Sequence, residues 1–73
     1  MLEIGEKIKR RRVSLGLTQE ELAARVELSK GFISQVERDL TSPSIATLTD
    51  ILEALGMSLA DFFSQEDTNE KVV

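Results

Sequence analysis

Lys30, Gly31, Ser34, Gln35 and Arg38 have a spacing that a helix over about residues 30–38 would turn into one face. At about 100° per residue, Ile33 and Val36 mark the inward side of that helix, and these five residues fall on or beside the opposite side. The set joins an amide and a hydroxyl to a cation at each end and one residue with no side chain. That chemistry suits base edges and phosphates. Gln can bond adenine through two hydrogen bonds, Lys can reach guanine acceptors, and Gly or a short Ser lets a helix come close. Any solvated helix also shows a polar outer face, so the face alone divides evenly between a binding and a bland reading. Its setting decides.

Other residues extend the pattern. Gln19 opens a preceding helix, where its side chain and the free amides of the helix end can together hold one phosphate. Lys9-Arg10-Arg11-Arg12 is the densest charge run. A basic run is most often a solvated face, with Arg10 or Arg11 as further phosphate candidates. Arg12 occupies the turn of the first helix where the apolar stripe skips a residue. Glu37 falls beside the inward stripe of the third helix, where a carboxylate needs a partner. The two are expected to form a partly buried ion pair, a structural role rather than a ligand contact. Phe32 has two readings, a residue at the core edge, which is preferred, or an apolar contact to a thymine methyl. The chain has no His and no Cys, which leaves no transition-metal ligand set, no cofactor site and little basis for an enzyme.

These residues need elements to position them. A first helix is expected over about residues 2–15, with Ile4, Ile8 and Leu15 inward and Gly16 as its stop signal. Thr18 and Glu21 form a capping box, and Leu17 and Leu22 can staple the entry to a second helix over residues 19–26. Leu22, Ala23 and Val26 are its expected buried residues. The third helix repeats the device with Leu28, Ser29 and Ile33. Only a tight turn around Val26 to Leu28 fits between the two, which makes a helix-turn-helix, a motif whose second helix often enters the DNA major groove. A fourth helix starts from Ser44 and presents Ile45, Leu48, Ile51, Leu52 and Leu55, ending at Gly56. A short fifth is capped by Ser58 and Asp61 and stapled by Met57 and Phe62. Residues 64–73 are polar and acidic without periodicity and are expected to be a frayed tail or linker stub, so the domain is placed at residues 1–63. The fold class is all-α.

Seventy-three residues without cysteine form one small core with no disulfide to assist it. No apolar run nears the length of a membrane span, about 20 residues, and the N-terminus is amphipathic and charged rather than a signal peptide, so a cytoplasmic location is expected. The formal charge of −4 is unevenly divided: residues 1–38 carry +2 and residues 39–73 carry −6. A basic face can therefore coexist with an acidic remainder.

The runs Leu15-Gly16-Leu17-Thr18-Gln19-Glu20-Glu21-Leu22-Ala23, Ser29-Lys30-Gly31-Phe32-Ile33-Ser34-Gln35-Val36-Glu37-Arg38 and Pro43-Ser44-Ile45-Ala46-Thr47-Leu48, with Ala54-Leu55-Gly56, closely resemble the lambda-repressor and Cro family (XRE type) of bacterial and phage regulators. The resemblance spans about residues 2–63. It implies a compact five-helix domain that binds duplex DNA, usually as a homodimer on a palindromic operator, and so a transcriptional regulator, most often a repressor. By position Gln19 matches the family's phosphate-clamping glutamine, Lys30, Gly31, Ser34 and Gln35 its base-reading positions, and Arg12 with Glu37 a family ion pair. Glu27 and Asp39 depart from it, each standing where glycine is common; a non-glycine in the left-handed region costs about 1 kcal/mol. The later runs are also similar to regulators that carry a cupin-type sensor barrel after this domain, so the chain is read either as a piece of such a longer protein or as a small stand-alone regulator. A rival from another class is a protein-interaction or antitoxin-like module on the same fold, which steep salt dependence of DNA binding would exclude.

Overall fold

The computed structural model describes the backbone of residues 4–70 and the side chains of residues 4–64. Five helices follow one another: α1 (Ile4–Ser14), α2 (Gln19–Arg25), α3 (Lys30–Glu37), α4 (Ile45–Ala54) and α5 (Leu59–Glu70). Their starts are set by local chemistry. The Thr18 hydroxyl accepts from Glu21 N at 3.0 Å while Thr18 N donates to the Glu21 carboxylate at 2.8 Å. The Thr18 N–H, then its hydroxyl and, more weakly, Arg25 hold the Glu21 carboxyl below its ordinary pKa. Ser29 caps α3 and Ser44 caps α4 by accepting from Phe32 N and Thr47 N. Ser58 and Asp61 exchange the same pair of bonds at α5.

Each helix contributes to one core: Ile8 from α1, Leu22 and Ala23 from α2, Ile33 and Val36 from α3, Leu48, Ile51 and Leu52 from α4, and Phe62 from α5, with Leu55 and Met57 between the last two. Most of these are fully buried, and each large one contributes about 1.5–3 kcal/mol. Leu17 and Leu28, the residues before two of the caps, pack against this core.

Four expectations need correction. The inward face of α1 is Gly5, Ile8 and Arg12, whereas Ile4 and Leu15 are 39% and 44% exposed. The reason is close approach: a Cβ on Gly5 would lie 2.6 Å from the Glu37 carbonyl oxygen and nearer still to that of Val36, so α1 is rotated to bring its glycine against the end of α3. Ile45 begins α4 with 68% of its surface exposed. Val26 is half-buried at the core edge. Finally, α5 does not stop near residue 63. It continues to Glu70, since extending a nucleated helix requires no apolar pattern. The expected tail therefore begins inside this helix, and residues 71–73 lie outside the described residues.

Lys7 is a buried cation that the sequence pattern does not reveal. Its ammonium donates to the Phe62 carbonyl and stands 4.4 Å from the centroid of the Phe62 ring, fastening α1 to α5.

Candidate nucleic-acid interface

The turn between α2 and α3 is built by backbone geometry. Leu28 N donates to Ala23 O at 2.9 Å, and Glu27 takes a φ of 58°, the left-handed conformation that reverses a chain after a helix. Ala23 is 3% exposed, and its small side chain lets α2 lie close to α3. Asp39, after α3, has the same φ of 58°. Its carboxylate does not project into solvent alone but accepts from Gly5 N at 3.1 Å, closing the first turn of α1.

With Ile33, Val36 and Glu37 turned inward, α3 leaves Lys30, Gly31, Gln35 and Arg38 exposed and Ser34 half-buried. Phe32 is half-buried and packs against the core, which favours the core-edge reading. Gln19 lies at the first position of α2 and shares a shallow surface depression with Arg12, Thr18 and Lys30. The structure thus brings the expected phosphate-holding glutamine beside the start of the expected reading helix.

Arg12 and Glu37 meet. Arg12 Nε donates to Glu37 Oε2 at 2.6 Å and Nη2 to Oε1 at 3.1 Å, with the two side chains 11% and 1% exposed. Arg12 Nη1 also donates to Leu17 O at 2.7 Å, so one guanidinium ties α1, the entry to α2 and the end of α3. A further bond joins this pair to the surface: Gln19 Nε2 donates to Glu37 Oε1 at 3.0 Å. Helical periodicity places Glu37 beside the core, but no sequence signal gives the rotamer that brings Gln19 to it.

Two of the expected phosphate cations are otherwise engaged. Arg11 Nε donates to Leu55 O at 3.0 Å, where its charge complements the C-terminal end of α4, and the side chain is half-buried. Arg10 pairs with Glu6 four residues earlier at 3.3 Å. Such an exposed pair is worth little and leaves Arg10 open to water. Arg38 remains exposed at the end of α3. Among the described residues no group of three or more His, Cys, Asp or Glu is placed to hold a metal ion, and no helix is long and apolar enough to cross a membrane.

Comparison with known proteins agrees with this geometry. The family model HTH_3, described as helix-turn-helix, matches residues 8–62. The chain is 34% identical over 65 residues to the immunity repressor protein of Bacillus phage phi105, covering 89% of this chain and 45% of that protein. It is 36% identical over 63 residues to the HTH-type transcriptional regulator PuuR of Escherichia coli (strain K12), covering 86% and 34% respectively. The chain thus spans less than half the length of these two relatives. The crystal structure of SinR, the master regulator for biofilm formation, in complex with DNA superposes with a TM-score of 0.76 at 34% identity, covering 84% of this chain and 98% of that one.

Proposed function

The chain belongs to the HTH_3 helix-turn-helix family and has its five-helix, lambda-repressor-like fold, and from that we propose a sequence-specific DNA-binding transcriptional regulator, acting as a repressor, without catalysis or cofactor. The observation that carries the reading is the free face of α3. On the second helix of the motif, Lys30, Gly31 and Gln35 stand exposed and Ser34 half-exposed, while the neighbouring apolar positions are consumed by the core. Laid in the major groove, α3 offers Gln35 and Lys30 to base edges. Gln19 and the amides at the start of α2, with Arg38 and Arg10 as nearby cations, would fix its register on the phosphates. The crystal structure of SinR in complex with DNA, 34% identical to this chain, supports DNA binding by this fold.

We further read the functional unit as a homodimer on a palindromic operator, its half-sites one helical turn or about 34–36 Å apart. In a longer parent protein, a C-terminal sensor domain would follow. We also read it as cytoplasmic, since a regulator of this kind works beside the chromosome.

Selection of bound sequences from random duplexes, followed by a salt titration on the selected site, tests the reading. A two-fold symmetric consensus is expected, with affinity that falls steeply as salt rises, because bound cations release counterions from DNA. Enrichment of no sequence, with salt-insensitive binding, would instead favour the protein-interaction module.

A further inference from the structure

The bond between Gln19 and Glu37 has a chemical consequence at the surface. A glutamine amide is two-sided, with an NH2 that only donates and an oxygen that only accepts. Turned one way it attracts a phosphate, and turned the other it repels one. In water the two orientations exchange freely. Here the buried neighbour is a carboxylate, which when ionised accepts only, and it is held in place by two bonds from Arg12. It therefore selects the orientation with Nε2 towards it, at 3.0 Å. One N–H of Nε2 is used in that bond, and the second remains for an outside acceptor, since no second partner of Nε2 is found among the described residues.

We propose that Glu37 is a positioning residue for the phosphate contact: from the core it fixes the Gln19 amide so that a hydrogen-bond donor, not the carbonyl, faces the DNA backbone. The proposal rests on the DNA-binding reading above and adds a function to a pair otherwise purely structural. Glu37 is 5% exposed and touches no nucleic acid itself. Arg12 contributes by holding Glu37 and, through Leu17 O, the chain just ahead of α2. The ion pair thereby links the inside of the domain to one defined phosphate.

The test uses the full chain and a selected operator in which single phosphates are replaced, one at a time, by uncharged methylphosphonates. In the wild type, replacement at the phosphate held by Gln19 should cost about tenfold or more in affinity, the range for a hydrogen bond to a charged group. That penalty should shrink in Gln19→Ala to what the backbone amides at the start of α2 still contribute. It should shrink part of the way in the paired variant Arg12→Met/Glu37→Met, which keeps the amide but removes the acceptor that orients it, while leaving no buried charge unpaired. Penalties at all other phosphates should be unchanged, an internal control that a merely loosened fold would not pass. A full penalty at the Gln19 phosphate in the paired variant overturns the proposal.

NMR of the wild-type side-chain amide gives a second decision that needs no variant to fold. One Gln19 amide proton should exchange slowly and keep its shift when DNA is added, while its geminal partner moves. Two rapidly exchanging protons in the free chain overturn the proposal. Failure of the DNA reading looks different: the slow proton persists in the free chain, yet no duplex shifts its partner.

Discussion

Arg12 and Glu37 illustrate how far a single residue can be read before a structure exists. Helical periodicity placed each on a face where a charge needs a partner, and the two meet as a paired, buried ion bridge. Each is left as a largely buried charge without its partner once the other is lost. Arg12→Met or Glu37→Met alone should therefore cost about 3–5 kcal/mol, whereas both together should cost less than either. Urea unfolding of the four proteins in a double-mutant cycle measures this, and strictly additive losses would contradict the coupling. Gln19 and Gln35 were legible as exposed, hydrogen-bonding positions, but the Gln19 bond to Glu37 was not, because it depends on a rotamer and on tertiary contact. Their roles still separate by experiment. Gln35→Ala should relax base preference at particular operator positions, at a cost of about 1–3 kcal/mol for a two-bond contact to adenine. Gln19→Ala should weaken all operators alike. Binding across an operator library at one salt concentration distinguishes the two patterns.

At the scale of elements, the starts of four helices were written locally, since each cap lies within three residues of the amide it serves. The rotation of α1 was not. Its stripe of Ile4, Ile8 and Leu15 fits a helical period, but the face that turns inward is chosen by where α3 leaves room. Gly5 alone permits that approach. In an open helix Gly→Ala stabilises by up to about 1 kcal/mol; here the added methyl meets the Val36 and Glu37 carbonyls, and Gly5→Ala should instead destabilise by about 1–3 kcal/mol. The two left-handed turns allow a sharper comparison. Glu27 and Asp39 share a φ of 58°, so glycine should relieve about 1 kcal/mol at either. Asp39 also closes α1 through Gly5 N, a bond worth about 0.5–1.5 kcal/mol. Glu27→Gly should therefore raise the melting temperature and Asp39→Gly should leave it nearly unchanged. Equal gains at both positions would show that the Asp39 bond contributes nothing.

For the whole molecule, the proposed homodimer raises the question of which surface would meet a second copy. The candidates are Leu59, Phe62 and Phe63, the large apolar residues of α5. The structure narrows this: Phe62 is 1% exposed, Leu59 packs against the core, and Phe63 remains 43% exposed at the α5 end of the domain. Phe63 meets Phe62 edge to face with ring centroids 5.2 Å apart, so its ring is braced from within while its outer side faces solvent. This exposed ring is the candidate seat for a two-fold mate in the proposed homodimer. Residues 39–73 carry −6 and residues 1–38 carry +2, a division that disfavours phosphate contact by the later half of the chain. Phe63→Glu should then leave the core and the half-site contact intact but place like charges across the dimer axis. Sedimentation on a selected palindromic operator should show two wild-type chains per duplex and, for Phe63→Glu, one chain with half-site affinity. Two variant chains binding the palindrome as cooperatively as the wild type would move the dimer surface away from α5.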